Sequence, residues 1–171
     1  MGKTMIKILC RLKLKQLMQN KEIEQTIAAI KYLVNPDSDR FGRLLNWQNF
    51  PDPFWHYGIG LSDTHIFDTG QGLCPFERTE AKLVLGIEDI AFEPTKTIAR
   101  LKQALYVFSD WEYNLIGWNC EHLGRLIVTD QPRCYQSIFL WWMCNLTSSG
   151  DHQSAQQIFR DHLLRVDASL T

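Results

Sequence analysis

The sequence lacks long hydrophobic runs, because none of its 171 residues falls in an uncharged, mainly apolar stretch of about 18 residues. A membrane-spanning helix needs such a stretch, so none is predicted. The sequence also lacks internal repeats and low-complexity tracts, which argues against solenoid and fibrous architectures. No segment has the glycine spacing of a phosphate-binding loop, which argues against P-loop and dinucleotide-binding folds.

Closely paired cysteines are missing as well. The five cysteines show no CxxC spacing, and their number is odd: Cys10, Cys74, Cys120, Cys134 and Cys144. A disulfide framework is therefore not expected. Since the sequence also shows no secretory signal, this pattern predicts free thiols in a reducing cytoplasm.

The net charge of the sequence is close to zero, because its 18 Lys and Arg residues are balanced by 19 Asp and Glu residues. Nucleic acid is therefore not predicted as a partner. Six of the basic residues nevertheless lie within residues 1–21, which contain no acid. Residues 5–34 carry a helical stripe of Ile and Leu. The segment is thus either a packing helix with a solvated basic face or an interfacial helix on anionic lipid.

The stretch with the most specific chemistry is Asn119-Cys120-Glu121-His122, directly before an apolar-faced helical run over 123–129. A cysteine at a helix start meets unpaired backbone N–H groups and the positive end of the helix dipole, and both favour the reactive thiolate. Asn119 is a suitable helix cap. A lone cysteine is more often an ordinary buried thiol. A single cysteine with a distant histidine, here His56, is instead the pattern of a thiol nucleophile and its base.

His56 lies in a predicted hairpin. Its strands span about 55–61 and 65–69, with a turn at 62–64. Alternation along the first strand puts His56, Gly58 and Gly60 on one face. Beyond the imidazole this face is bare, which suits the close approach of a substrate or a helix.

The register of the hairpin decides which side chain can orient His56. With a three-residue loop, Gly58 pairs with Asp68, whose carboxylate then lies diagonal to His56 on the same face. With a two-residue loop, Thr69 takes that place instead. His65 lies at the hairpin tip, far along the strand from His56, so Asp68 is the predicted orienting residue.

The remaining chain is predicted to mix helix and strand. Residues 35–39 form a turn or linker, and residues 47–53 an aromatic, proline-broken loop. Strands are predicted near 82–85 and 90–92, and helices over 95–109, from Cys120 to near Asp130, and over 153–166. The aromatic segment 136–146 is expected to be a buried core helix or strand, with a lipid-facing or substrate-facing patch as the alternative.

These motifs resemble the lecithin:retinol acyltransferase family, whose members are circularly permuted relatives of papain-like and NlpC-type cysteine hydrolases. The likeness rests on His56-Tyr57-Gly58-Ile59 preceding Asn119-Cys120-Glu121-His122, and it covers about residues 45–140. It implies an α+β, permuted papain-like (NlpC-type) fold in which a small antiparallel sheet packs against the helix that carries the cysteine. The expected organisation is a helical N-terminal extension over 1–38, a catalytic domain over 39–147 and a C-terminal helix over 148–171.

By this resemblance Cys120 is the nucleophile, His56 is its base and Asp68 orients the ring. Animal members often have a second histidine in the third position, but a carboxylate can equally accept the ring N–H and stabilise imidazolium. Two features depart from the family pattern. Leu123 stands where an aromatic residue is usual, and the sequence has no counterpart of the best-known member's membrane anchor.

The expected function is acyl transfer or hydrolysis through an acyl-Cys120 thioester, with the Cys120 N–H as an oxyanion donor and no metal or other cofactor. A lipid is the expected acyl donor, and peripheral membrane contact is expected through residues 1–21 of a cytoplasmic protein. The alternatives are a papain-like thiol peptidase or amidase, or a non-enzymatic binding module that retains the fold. Glu121 and His122 are expected to be structural.

Overall fold

The structure is a computed structural model, and it describes residues 20–48, 55–69, 72–76, 81–111, 118–135 and 151–168. Within these ranges the protein is α+β, with four helices and a five-stranded antiparallel sheet. The helices are α1 over residues 20–33, α2 (Pro94–Phe108), α3 (Cys120–Thr129) and α4 (Asp151–Ala168). The strands are β1 (Leu44–Gln48), β2 (Trp55–Gly60), β3 (His65–Asp68), β4 (Gly72–Pro75) and β5 (Lys82–Leu83).

Alternating side chains give the sheet two apolar faces. Its strand order is β4-β3-β2-β1-β5. On one face, Tyr57 and Ile59 of β2 join the main core with the helices. On the other, Leu45 and Trp47 of β1 form a smaller cluster with Ile66. The helix α3 packs on β1 and β2, α2 packs on α3, and α4 packs on α2. The helix that begins with Cys120 therefore contacts the sheet directly.

Both flanking helices belong to the main core. Ile30 of α1 and Phe159 of α4 are fully buried in the same cluster as the helix-facing side of the sheet. The hydroxyl of Tyr106 on α2 also donates to the carboxylate of Glu24 on α1, at 2.6 Å. The boundaries near residues 38 and 147 stay a prediction, but the helices beyond them are docked parts of one packed structure.

Most of the predicted elements are confirmed. The hairpin turns at residues 62–64, and the expected helices over 95–109 and 153–166 are present as α2 and α4. The helix α3 ends at Thr129, close to the predicted end. There, Asp130 adopts a left-handed backbone with φ 64° and donates its N–H to the carbonyl of Leu126.

Several strand predictions are wrong. The segment 90–92 is not a strand, because the N–H groups of Ile90 and Ala91 both turn back to the carbonyl of Ile87. The strand expected over 82–85 contains only Lys82–Leu83. Trp47 and Gln48 were expected in a loop, but they pair with β2 as part of β1. The strand β4 was not predicted, since its Gly and Pro ends have the composition of a turn.

The bare face of β2 is covered by other parts of the sheet and its loops, rather than by a helix or an open approach path. A Cβ on Gly58 would lie 2.8 Å from the carbonyl oxygen of Phe67 and 3.0 Å from the indole of Trp47. A Cβ on Gly60 would collide with the carbonyl oxygen of Arg40. Both positions therefore require glycine because backbone and indole approach them closely.

Several predictions fall outside the described residues. They concern the basic segment up to residue 19, the loop over 49–54 and the aromatic segment 136–146. Among the residues that the structure does describe, no helix combines the length and the hydropathy needed to cross a bilayer.

Replacing Phe159 by alanine should lower the free energy of unfolding by about 3–5 kcal/mol, because a large buried ring is lost. The ring is fully buried and packs against Phe108 and the guanidinium of Arg100. Leu164→Ala on the same helix is the matched control, since Leu164 is 67% exposed and should contribute less than about 1 kcal/mol. Urea denaturation measures both. Equal losses in the two variants would contradict the docking of α4.

Candidate active site

Cys120 is the first residue of α3, and Asn119 caps the helix as predicted. Asn119 has an extended backbone, and its Oδ1 accepts hydrogen bonds from the N–H groups of Glu121 (3.0 Å) and His122 (3.2 Å). The N–H of Asn119 in turn donates to Nδ1 of His122, at 3.3 Å. This reciprocal capping box fixes the first turn of the helix and thereby the position of the Cys120 side chain.

The end of β3 is tied to the same turn. The hydroxyl of Thr69 lies 2.9 Å from the carbonyl oxygen of Tyr57 and 3.3 Å from that of Cys120. Cys120 itself is only 3% exposed. Thr69 was the alternative orienting residue for His56, but here its side chain connects the strands to the start of α3 instead.

Asp68 lies beside His56, at the position that the three-residue hairpin loop predicts. Gly58 pairs with Asp68 across the two strands, which puts the carboxylate diagonal to the imidazole on one face. The distance from Nε2 of His56 to Oδ1 of Asp68 is 2.8 Å. The two side chains are 12% and 6% exposed, and the edge of the Trp47 ring lies against the imidazole.

Cys120 also acts on His56, since its side chain is among the groups that raise the pKa of the ring, so the structure brings all three predicted site residues together. Burial of the ring opposes its protonation. The hydrogen bonds to Asp68 and Cys120, with the negative charges of both groups, outweigh burial and raise the pKa of His56 from 6.5 to about 10.

This raised pKa makes the site pH-dependent in a defined direction. The folded protein holds the His56 proton more tightly than the unfolded chain does. The resulting contribution to stability is complete below pH 6.5, the ordinary pKa of histidine, and is lost as the pH rises through about 10. Through the neutral range His56 is an imidazolium, and it faces a carboxylate on one side and a sulfur on the other.

A buried polar network lies directly beneath the nucleophile. Glu121 is fully buried, and its carboxylate accepts hydrogen bonds from Nε of Arg125 (2.8 Å) and from the thiol of Cys134 (3.2 Å). The amide of Asn119 donates to the sulfur of Cys134, at 3.2 Å. Burial and the negative charge of Glu121 raise the pKa of Tyr57, which is also part of this network. The contacts of Glu121 and His122 fit the structural roles expected for them.

Sequence reasoning did not find the partners in this network. Arg125 carries a readable signal, since it follows Glu121 by four residues on a predicted helix and so lies on the same face. Cys134 and Tyr57 carry no comparable signal, because neither is near Glu121 in the sequence. Their contacts with it arise only when the chain after α3 and the strand β2 pack around it.

His65 is separate from the site, as expected. It lies at the hairpin tip, where its Nδ1 is 2.9 Å from the hydroxyl of Thr64. Within the described ranges, no three side chains of the His, Cys, Asp and Glu types are placed to hold a metal ion together.

Comparison with known proteins identified no relative of the chain. No family model, no curated protein and no solved structure matches it. The likeness to the lecithin:retinol acyltransferase family therefore rests on the two sequence motifs alone. Membership of that family, and the permuted papain-like topology that it implies, remain predictions.

The imidazolium of His56 can be tested by NMR titration of the histidine ring protons. In the wild type His56 should titrate with a pKa of about 10. Asp68→Asn and Cys120→Ala should each lower that pKa, because each removes a hydrogen bond and a negative charge that favour the imidazolium. A wild-type pKa at or below 6.5 would contradict the described site.

His162 on α4 is the internal control for this titration. Its ring lies 2.9 Å from the side chain of Gln103, away from the candidate site. Burial and the positive charge of Arg165 hold the pKa of His162 below its ordinary value. That pKa should be the same in the wild type and in both variants, since none of its causes is changed.

Glu121→Ala should lower the free energy of unfolding by about 3–5 kcal/mol, because it leaves the Arg125 guanidinium buried without its carboxylate partner. Arg125 is only 8% exposed, so water does not replace that partner easily. Glu88→Ala is the matched control at an exposed position, with an expected change within about 0.5 kcal/mol. Thermal and urea unfolding measure both variants. Equal decreases in the free energy of unfolding of the two variants would show that the network does not stabilise the start of α3.

Proposed function

We propose that the protein is a cysteine-dependent acyltransferase or hydrolase in which Cys120 is the nucleophile and His56 the proton-transfer group. One observation carries the proposal: Nε2 of His56 lies 2.8 Å from the carboxylate of Asp68, and the same ring interacts with the side chain of Cys120. Acyl transfer through a thiol requires this arrangement, in which a base activates the nucleophile and a third group orients the base. The three side chains come from α3, β2 and β3, whose packing holds them in place.

The proposed reactive state is a Cys120 thiolate beside the His56 imidazolium. The Cys120 thiolate attacks the carbonyl carbon of the substrate, a C–S bond forms, and the carbonyl electrons move to the oxygen. The His56 imidazolium gives its proton to the leaving alcohol or amine as the bond to the carbonyl carbon breaks. The product of this half-reaction is an acyl-Cys120 thioester and a neutral His56.

The second half-reaction restores the enzyme. A water, alcohol or amine loses a proton to His56 and attacks the thioester, so that the thiolate leaves and the imidazolium forms again. Asp68 accepts the ring N–H throughout and stabilises the charged ring. In both halves the negative oxygen needs a hydrogen-bond donor. The proposed donor is the backbone N–H of Cys120, because Cys120 is the first residue of α3 and its N–H lies next to the sulfur that is attached to the carbonyl carbon.

The proposed acyl donor is a lipid ester. The support for this class is the family likeness of the two motifs, together with the order of elements, since the histidine strand β2 precedes the cysteine helix α3 in the chain. A peptide or amide substrate would use the same three residues in the same steps. Experiment therefore has to distinguish a lipid ester from a peptide or amide as the acyl donor.

Incubation with short-chain phosphatidylcholine should add the mass of one acyl group to the wild-type protein, seen by intact-mass spectrometry. Cys120→Ser should acquire no adduct at a comparable rate, since a serine hydroxyl stays protonated next to an imidazolium. Asp68→Asn should slow the acylation by at least about 100-fold, because the ring loses its orienting carboxylate.

Cys74→Ser is the matched control, because Cys74 is another described thiol close to Asp68. Burial and the negative charge of Asp68 raise the pKa of Cys74, so its thiol should stay protonated and unreactive. This variant should be acylated like the wild type. If no adduct forms but Cys120 is alkylated rapidly, the result would support peptides or amides as the substrate class instead of lipid esters. Absence of an adduct with slow alkylation would refute the enzymatic proposal.

A further inference from the structure

An apolar cavity of about 270 Å³ lies beside the cysteine helix. It is partly open to solvent, and four elements line it: α1, α2, α3 and the end of β3. Its walls are mostly hydrophobic side chains, among them Phe67, Leu101, Phe108, Leu123 and Ile127. The helix α1, which lies within the predicted N-terminal extension, forms one side of the cavity with Ile23 and Thr26.

The cavity extends toward the first turn of α3. Thr69 lines it, and the hydroxyl of the same residue is 3.3 Å from the carbonyl oxygen of Cys120. Leu123 and Ile127 follow Cys120 by three and seven residues, so these three side chains lie on one stripe of α3. A chain attached to the Cys120 sulfur can therefore continue along that stripe into the cavity.

The polar groups at the cavity are already bonded within the protein or lie in solvent. The hydroxyl of Thr26 donates to the carbonyl of Glu22, and that of Thr69 lies within hydrogen-bond distance of two carbonyl oxygens. Glu22 and Ser109 are exposed. None of the described lining residues is basic, so a free carboxylate or phosphate would lose its hydration without gaining a cation. A neutral hydrocarbon chain suits this lining.

The volume sets the length of that chain. An engineered apolar cavity of about 150 Å³ takes benzene, which has six carbons. At the same volume per carbon, this cavity of about 270 Å³ holds about ten to eleven carbons.

We propose that this cavity binds the acyl chain of the substrate and selects straight chains of about eight to ten carbons; the assignment rests on the function proposed for Cys120. Bound there, the chain fixes the ester carbonyl beside the sulfur, and the cavity determines which acyl donors react fastest. The helix α1 then forms part of the substrate site.

The first experiment measures binding without chemistry, using straight-chain alcohols from butanol to dodecanol and the wild-type protein. Affinity, followed by calorimetry, should rise about fourfold for each added methylene and level off near ten carbons. The second experiment measures kcat/KM for 4-nitrophenyl esters of the same range of chain lengths. It should show the same rise and the same limit.

Ala104→Leu is the test variant, because Ala104 is a buried lining residue of α2 and a leucine there would fill part of the cavity. The ratio of kcat/KM for the decanoyl ester to that for the acetyl ester should fall at least about tenfold. Decanol binding should weaken by a similar factor. Ala99→Leu makes the same change at an exposed position of the same helix and should alter neither quantity.

The outcomes separate the cavity from the chemistry. Ester acylation that is independent of chain length, or equal in both variants, would overturn the cavity assignment and leave Cys120 as the nucleophile. Alkanol binding that Ala104→Leu weakens, without acylation by any ester, would refute the proposed function and keep a hydrocarbon-binding cavity. Faster reaction of aromatic amides than of decanoyl esters would also overturn the assignment, in favour of a peptide side chain.

Discussion

The register between β2 and β3 is the constraint on which the candidate site depends. Pairing of Gly58 with Asp68 puts the carboxylate 2.8 Å from the His56 ring, whereas a slip of one residue would turn it to the opposite face. Gly58 and Gly60 of β2 help to fix this register, because Trp47 and the backbone of Arg40 occupy the space that side chains at these positions would need. Stability and chemistry are thus linked, since the same close packing that orders the hairpin also orients the base.

Placement of a thiol beside an imidazolium requires a rigid helix start, and the protein secures it with buried polar groups. Asn119 caps the helix, while Glu121 and Arg125 form an ion pair below it. Burying these groups is unfavourable unless each has a partner. The thiol of Cys134 completes the partners of the Glu121 carboxylate, which connects the chain after α3 to the first turn. A polar network at this depth favours one arrangement of the site over looser alternatives.

The flanking helices change the interpretation of the chain as a catalytic domain with extensions. The helix α4 buries Phe159 in the main core, and α1 buries Ile30 there while also forming one wall of the cavity beside α3. A segment that serves the core in this way cannot be removed without exposing apolar surface. The predicted membrane contact concerns residues 1–21, of which only the last two lie among the described residues.

The sequence alone determined the elements with strong local signals. The hairpin, the capped helix at Cys120 and the helices α2 and α4 follow from periodicity and from capping or turn chemistry, which act over a few residues. The choice of Asp68 also followed, because strand register obeys a geometric rule. Only the tertiary structure decided the strands β1 and β4, the contact of Cys134 with Glu121, and the cavity between α1 and α3. These depend on residues distant in the chain, and local patterns carry no information about which distant surfaces will meet.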